Sequence, residues 1–251
     1  MNFADEEIAL YDLGNRPASY DVMTCLSVAT AHGAKHLRLV LNNGWKPKNY
    51  NKKQAVERFI SIVEPVAELF GLDYSVGDRR GIEYGHVLGS AIKAYKQLGR
   101  IGMIPRACSP SNYVTITMRK SRTPERDSNE EEWMKFASRL KMQSVIIPDW
   151  DEKPISMEQR WDLYANARMN FMVINGPITL CFHSEAPYLC MKTIGGANSA
   201  ITSPTQMAAM GITPGFQFPW ANHNQRLSYL PDTCENIEAE WSRMQEERMA
   251  A

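Results

Sequence analysis

The chain has 251 residues, 44% of them hydrophobic, and its 28 basic side chains are balanced by 28 acidic ones. That length buries one large or two small cores, and zero formal charge argues against a broad nucleic-acid or membrane-surface footprint, leaving local basic clusters. No apolar run approaches the roughly 20 residues of a membrane span, the start MNFADEE lacks the basic region of a signal peptide, and five cysteines without C-x-x-C spacing indicate neither a disulfide framework nor a zinc knuckle, so a cytoplasmic protein is expected.

The pattern predicts a strand over 8–13 (IALYDL), a turn at Gly14-Asn15-Arg16-Pro17, and a helix from about Tyr20 to His32. Ser19 or Asp21 is its expected cap, with Met23, Leu26, Val28 and Ala29 facing inward. HLRLVLN is a second strand. Lys52 to Leu69 reads as one long helix, because Val56, Phe59, Ile60, Val63 and Val66 recur at spacings of three and four, with Pro65 set to kink or restart it. A short strand at Asp73 to Val76 and a helix from Tyr84 to Leu98 complete an N-terminal half, residues 1–105. The Gly-, Pro- and Ser-rich segment GRIGMIPRACSPSN joins it to the second half, residues 106–251.

That second half opens with the alternating strand YVTITMR, after which Arg119, Lys120, Arg122 and Arg126 crowd one loop. A helix should start near Ser128, capped by its hydroxyl with Glu131 three residues on, and should bury Trp133, Phe136, Ala137 and Leu140. The strand SVIIP, an acidic loop at Asp149, a helix over Met157 to Ala167 and the strand FMVING follow. This alternation predicts an α/β protein of two Rossmann-like halves with parallel sheets and a cleft between them.

After the apolar run FMVI, Asn175-Gly176-Pro177 forms a turn, and Pro177 suits the first turn of a helix because it has no N–H to satisfy. The next amides, of Ile178, Thr179 and Leu180, with the Thr179 hydroxyl, make an anion site at the carboxyl edge of a parallel sheet, where a nucleotide diphosphate would sit. The competing reading is that any strand-turn-helix unit of an α/β protein looks like this.

YVTITMRKSRTPERDSNEEEWMKFASRL, SVIIPDW and MNFMVINGPITLCFHSEAPYLCMK together resemble the nucleotide-sugar half of GT-B-type glycosyltransferases, in the pattern of heptosyltransferase-like and fucosyltransferase-like bacterial sequences. The opening GNRPASYDVMTCLSVATAHGAKHLRLVLNNG is similar to that of glycosyltransferase-like proteins of surface-polysaccharide clusters. The resemblance implies an N-terminal acceptor side and a C-terminal donor side. It matches Arg119, Arg122 and Arg126 to the basic loop near the phosphates, and Asn175, Gly176 and Thr179 to the small-residue loop that meets the diphosphate. The chain departs from the pattern in being shorter and in lacking the Asp and His near that loop, so the donor's identity does not transfer.

A metal-independent transfer of a sugar to an acceptor hydroxyl needs cationic groups for the departing diphosphate and a base for the hydroxyl proton. The arginine forks suit the phosphates, against the alternative of a solvated loop balanced by Glu125 and Asp127. Asp21 is the first choice of base, Asp12 the second and His86 the third, while Asp21 equally suits a plain carboxylate at a helix N-terminus. Gln225 and Asp232 are further donor-sugar or ribose contacts, and Asp232 and Thr233 should cap the last helix. His183 lies near the donor loop or packs. Neither the scattered histidines nor Asp149 and Asp151 make a metal-ligand set, and no cofactor is expected. Two rivals remain: a non-catalytic nucleotide- or sugar-binding protein, and a sugar-nucleotide epimerase or hydrolase of the same fold.

Overall fold

The structure, a computed structural model, describes residues 3–16, 18–40, 52–106, 111–120, 124–149, 155–196 and 202–250. Its chain divides into two compact units, Met1–Pro105 with Ser156–Glu158 and Arg106–Ile155 with Gln159–Ala251. Each carries its own parallel sheet, the α/β architecture that the alternating pattern predicts.

In the first unit, β1 (Ile8–Asp12), β2 (His36–Val40), β3 (Asp73–Val76) and β4 (Ile82–Glu83) lie in the order β3-β2-β1-β4, all parallel. Every residue of β1 is buried, as is nearly all of α1 (Asp21–Ala31), so this helix is a core element rather than an amphipathic one. Gly102 closes on it: Gly102 N–H donates to Ser27 O at 2.8 Å and Ser27 Oγ to Gly102 O at 2.7 Å. A Cβ at Gly102 would fall 1.7 Å from Thr30 Oγ1 and 2.9 Å from Ser27 O, so only glycine fits.

Three expectations for this half are corrected. α1 is preceded by Tyr20, whose side chain makes no cap bond; Ser19, one residue earlier than a cap stands, accepts from Asp21 N–H at 3.4 Å and donates to the Asp21 carboxylate at 3.0 Å. The long helix is interrupted. α2 (Lys52–Arg58) and α3 (Glu64–Leu69) are joined by a π-helical stretch, Phe59–Val63, in which Glu64 N–H reaches back five residues to Phe59 O. Pro65 has no N–H to donate into the regular ladder, and the widened turn before it rotates the apolar stripe. Ile62, Val63, Val66 and Ala67 are therefore buried, while Val56 and Ile60 are 47% and 56% exposed. Finally, α4 starts at Leu88 rather than Tyr84, because Ile82 and Glu83 are drawn into the sheet beside Ala9 and Leu10.

The second unit has β5 (Tyr113–Met118), β6 (Gln143–Pro148), β7 (Met169–Val173), β8 (Tyr188–Met191) and β9 (Gln225–Leu227) in the order β6-β5-β7-β8-β9. Counted within the unit this is 2-1-3-4-5, a doubly wound order whose direction of progress reverses between β5 and β7. One face is apolar: Val114, Ile116, Met118, Phe171, Val173, Leu189 and Met191 pack against Trp133 and Phe136 of α5 (Glu130–Arg139) and Ile237, Trp241 and Met244 of α9 (Cys234–Ala250). The other face is buried but polar. Thr115 Oγ1 donates to Asn170 Oδ1 at 2.6 Å, Asn170 Nδ2 donates to Tyr164 O and Pro187 O at 2.9 and 2.8 Å, and Thr117 Oγ1 meets the hydroxyl of Tyr164, from α6 (Met157–Asn166), at 2.7 Å. Alternation in this strand thus separates a greasy face from a hydrogen-bonded one.

The expected capping roles are exchanged here. Ser128 does not cap α5; its Oγ accepts from Arg119 N–H at 2.8 Å and its N–H donates to Arg119 O at 2.9 Å, pinning the base of the arginine loop. The orphan N–H of Asn129, at the start of α5, goes instead to Asp232 Oδ2 at 2.8 Å. Thr233 caps α9, accepting from Asn236 N–H at 3.3 Å, while Glu132 Oε2 of α5 accepts from Cys234 N–H at 2.6 Å. At the sheet's edge the Gln217 amide accepts from Leu227 N–H at 2.8 Å and donates to Leu227 O at 2.7 Å, imitating a neighbouring strand. Among the described residues no helix is long and apolar enough to cross a membrane.

Asn170 is fully buried and serves three partners. Asn170→Ala should lower unfolding stability by about 2–4 kcal/mol through the orphaned partners, read from the midpoint of urea denaturation at an unchanged slope.

Candidate functional site

In an open parallel sheet, ligands bind outside the carboxyl ends of the strands where the strand order reverses. In the second unit that place lies between the ends of β5 and β7, and Arg119 spans it: its Nη1 donates to Ile174 O at 2.9 Å. Arg126, in the short turn Pro124–Arg126, is close enough for the two cations to repel. Burial, then Arg119, pushes the Arg126 guanidinium down to about 10. Burial lowers Arg119 as well, against the pull of Asp149 and Asp127. Three N–H donors gathered at this edge, Arg119 Nε, Arg126 Nε and Asn175 Nδ2, are buried with no acceptor among the described residues. Two partly desolvated cations and three unanswered donors form a site suited to an anion.

Lys192, which the sequence reading passed over, belongs to the same edge. It directly follows β8 with φ 51, a left-handed conformation uncommon outside glycine. Its Nζ donates to Asp127 O at 3.0 Å and lies 3.9 Å from Asp232 Oδ1. Asp127 Oδ1 is buried without a partner among the described residues, an acceptor set beside the cations. The only sequence signal for Lys192 is a basic residue directly after the apolar run YLCM.

The loop after β7 differs from its expected form. Ile178 N–H donates to Asn175 Oδ1 at 2.9 Å, Thr179 N–H to Gly176 O at 3.1 Å and Leu180 N–H to Pro177 O at 3.1 Å, so none of these amides is free for an anion. Thr179 Oγ1 also turns back, to Gly176 O at 2.6 Å. The helix that follows is one turn, α7 (Thr179–Phe182), and it is buried. In this loop the Asn175 side chain keeps an unused donor, its Nδ2.

Two further expected donor contacts are structural. Gln225 stands at the opening of β9, the opposite edge of the sheet, where its Nε2 serves Cys181 O, Ser184 O and Ala186 O. Asp232 is 4% exposed and is consumed by Asn129 N–H and Trp133 Nε1–H, at 2.8 and 2.9 Å. His183 is fully buried against Trp220, its pKa driven down to about 3 by burial, and packs. Asp149 pairs with the buried Arg160 at 3.6 Å. Arg122 and Asp151 lie outside the described residues.

In the first unit the three proposed bases separate. Asp12 ends β1 fully buried; it accepts from Gly14 N–H at 2.8 Å and Asn15 Nδ2 at 2.9 Å and pairs with Arg79. This carboxylate holds a turn, which leaves it poorly placed to take a proton. Asp21 and His86 are brought together: burial and the charge of Arg16 lower the His86 pKa, and Asp21 and Glu83 oppose that shift. Arg16 itself donates to Tyr84 O at 2.6 Å and lies over the Tyr11 ring. Among the described residues no three His, Cys, Asp or Glu side chains converge as a metal site.

No family model matches the sequence, and no curated relative matches it. Among solved structures, the chain is similar to the dodecameric iron-containing heptosyltransferase TibC in complex with ADP-D-beta-D-heptose, at 12% identity and a TM-score of 0.51, over 100% of this chain and 80% of that one. It is also similar to the iron-containing dodecameric glycosyltransferase TibC from enterotoxigenic E. coli H10407, with 12% identity, a TM-score of 0.49 and coverage of 97% and 79%. The glycosyl transferase family 9 protein from Veillonella parvula DSM 2008 follows at 10% identity and 0.43, with coverage of 95% and 97%. At such identities the likeness is one of fold, and the fold is GT-B-like.

Because Asp21 opposes the lowering of the His86 pKa, Asp21→Asn should move that pKa further below 6.5. Removing the Arg16 charge by Arg16→Gln should raise it. The imidazole proton shifts of His86 followed by NMR from pH 4 to 8 give both values.

Proposed function

We propose that the chain is a glycosyltransferase that moves a sugar from a nucleotide-sugar donor to an acceptor hydroxyl without a bound metal. The observation that carries this reading is the set of three unanswered buried donors beside Arg119 and Arg126 at the carboxyl edge of the second sheet. A diphosphate supplies the missing acceptors and relieves the repulsion between the two guanidiniums. Lys192 adds positive charge to the same edge, and the open oxygen of Asp127 suits a hydroxyl of the donor's ribose or sugar. The second unit is then the donor side, Arg122 extends its basic loop, and the first unit is the acceptor side.

In the reaction the acceptor oxygen attacks the anomeric carbon, the bond from that carbon to the diphosphate oxygen breaks, and the nucleoside diphosphate leaves with the electron pair. The arginines stabilise the charge that develops on it, a task a divalent cation performs in other transferases. The acceptor proton passes to Asp21, whose charge acts on the nearby His86 imidazole. ADP-heptose is the first donor to try, since a structure of similar fold binds it.

One observation favours a second reading, a nucleotide-binding protein without turnover. The carboxylate at the end of β1, Asp12, is fully occupied by structural partners. Turnover separates the two.

Calorimetry with ADP and ADP-heptose on folded protein should show Arg119→Ala and Arg126→Ala each weakening binding by roughly tenfold or more, since a charge-assisted contact is worth about 1.5–3 kcal/mol. Added salt should weaken it further. Affinity unchanged in both variants would return the arginines to a plain charged loop.

Asp21→Asn should cut turnover by about a hundred- to ten-thousand-fold with donor affinity kept, and a chelator should leave the wild-type rate unchanged. A chelator-sensitive rate would overturn the metal-free mechanism, and nucleotide binding without turnover of any donor would favour the second reading.

A further inference from the structure

The parallel strands of the second unit all begin at one edge, opposite the site described above, and four strand starts there surround a cavity of about 300 Å³. Its walls are Ser111 and Asn112 before β5, Arg168 before β7, Pro187 before β8 and Asn224 before β9, with Arg106 and Arg248 completing it. The lining contains three guanidiniums and no carboxylate. Among the described residues, none of the three arginines makes an ion pair.

Arg106 is the anchor of this cavity. Its Nε donates to Ala165 O at 2.7 Å and its Nη1 lies 3.5 Å from Glu185 O, so the fork is held in place by backbone carbonyls. Its Nη2 remains buried with no acceptor among the described residues. A buried guanidinium N–H without an acceptor, in a cavity lined by two more like charges, is unfavourable until an anion enters. Asn224 points the same way. Its Oδ1 is buried and unpartnered while its Nδ2 faces His223 Nε2 at 3.0 Å. Turning the amide by 180° gives Oδ1 the His223 N–H and presents the NH₂ donors to the cavity.

We infer that this cavity is a binding site for a phosphate group, free or carried on a small molecule, distinct from the donor site. Tetrahedral oxyanions match the convergent forks and amide donors, and the volume holds a phosphate with a short organic body but not a nucleotide sugar. Six-residue strands of about 3.3 Å rise per residue put this edge roughly 20 Å from Arg119. The inference does not depend on the glycosyltransferase reading, because its residues and its edge are different.

The test is calorimetry of the full chain carrying Arg119→Ala with Arg126→Ala, which weaken the other anion site, titrated with inorganic phosphate and with glycerol 3-phosphate. One saturable site is expected. Arg168→Gln with Arg248→Gln should weaken it by at least about tenfold, and neither side chain holds a hydrogen bond or ion pair among the described residues, so the thermal unfolding profile should persist without ligand. Equal affinity for the two probes assigns the site to the phosphate group alone, and tighter binding of glycerol 3-phosphate assigns it to esters. Absence of saturable binding for both probes, or a loss of less than tenfold in the double variant, would overturn the inference.

Discussion

Asp232 lies between the starts of α5 and α9 with a single buried carboxylate, and the carboxyl edge of the second sheet is built outward from it. One oxygen takes the N–H at the head of α5 and the indole N–H of Trp133, a fully buried core residue. The other stands 3.9 Å from the Lys192 ammonium. A buried charge is tolerated only when its hydrogen-bonding capacity is met, and here the donors come from a helix end, a core aromatic and a strand end. Lys192 then reaches the backbone of Asp127, next to Arg126. The position of the basic loop thus follows from the hydrophobic core through one carboxylate. That chain of dependence explains why a residue read in sequence as a ligand contact is better spent as a support.

The two units use one device and finish it differently. In each, an arginine following the first strand donates to a carbonyl at the end of the strand across the reversal point: Arg16 to Tyr84 O, and Arg119 to Ile174 O. Arg16 also has the Cys25 sulfur at 3.5 Å and the face of Tyr11. Arg119 keeps Nε unanswered and has a second, partly desolvated arginine beside it. A saturated guanidinium rigidifies; an unsaturated one retains interaction energy for a ligand. The degree of saturation, rather than the residue type, separates a structural arginine from a binding one.

Much of the architecture was legible because burial imposes periodicity. Strands such as YVTITM and MNFMV are sandwiched in the sheet and read as apolar or alternating runs, and α5 shows its Trp133 and Phe136 face plainly. Errors gathered where a polar group had more than one local option. Ser128 satisfied every rule for a cap yet bonds Arg119, because the loop that brings the two together is a tertiary feature. Pro65 marks a break, but spacing does not reveal the π turn that absorbs it, so Ile60, on the apolar stripe by spacing, stands outside. The sequence leaves the amides after Pro177 open at a helix start, whereas one tight turn closes them on nearby carbonyls and the Asn175 side chain. Arg119 and Arg126 were legible as a cluster of charge. Their burial, which makes the cluster chemically interesting, was not.

The Gln217 amide that occupies Leu227 has a consequence for how copies of this chain can meet. A strand at the end of a sheet normally offers its free N–H and C=O groups to any passing strand, and such offers lead to edge-to-edge pairing. On β9 one side chain already answers both groups of Leu227, so a second chain would have to expel the amide before zipping onto this margin. Growth of the sheet in that direction is therefore opposed by a group only ten residues away in the chain. Contacts between copies are left to surfaces that do not extend the hydrogen-bonded ladder at β9.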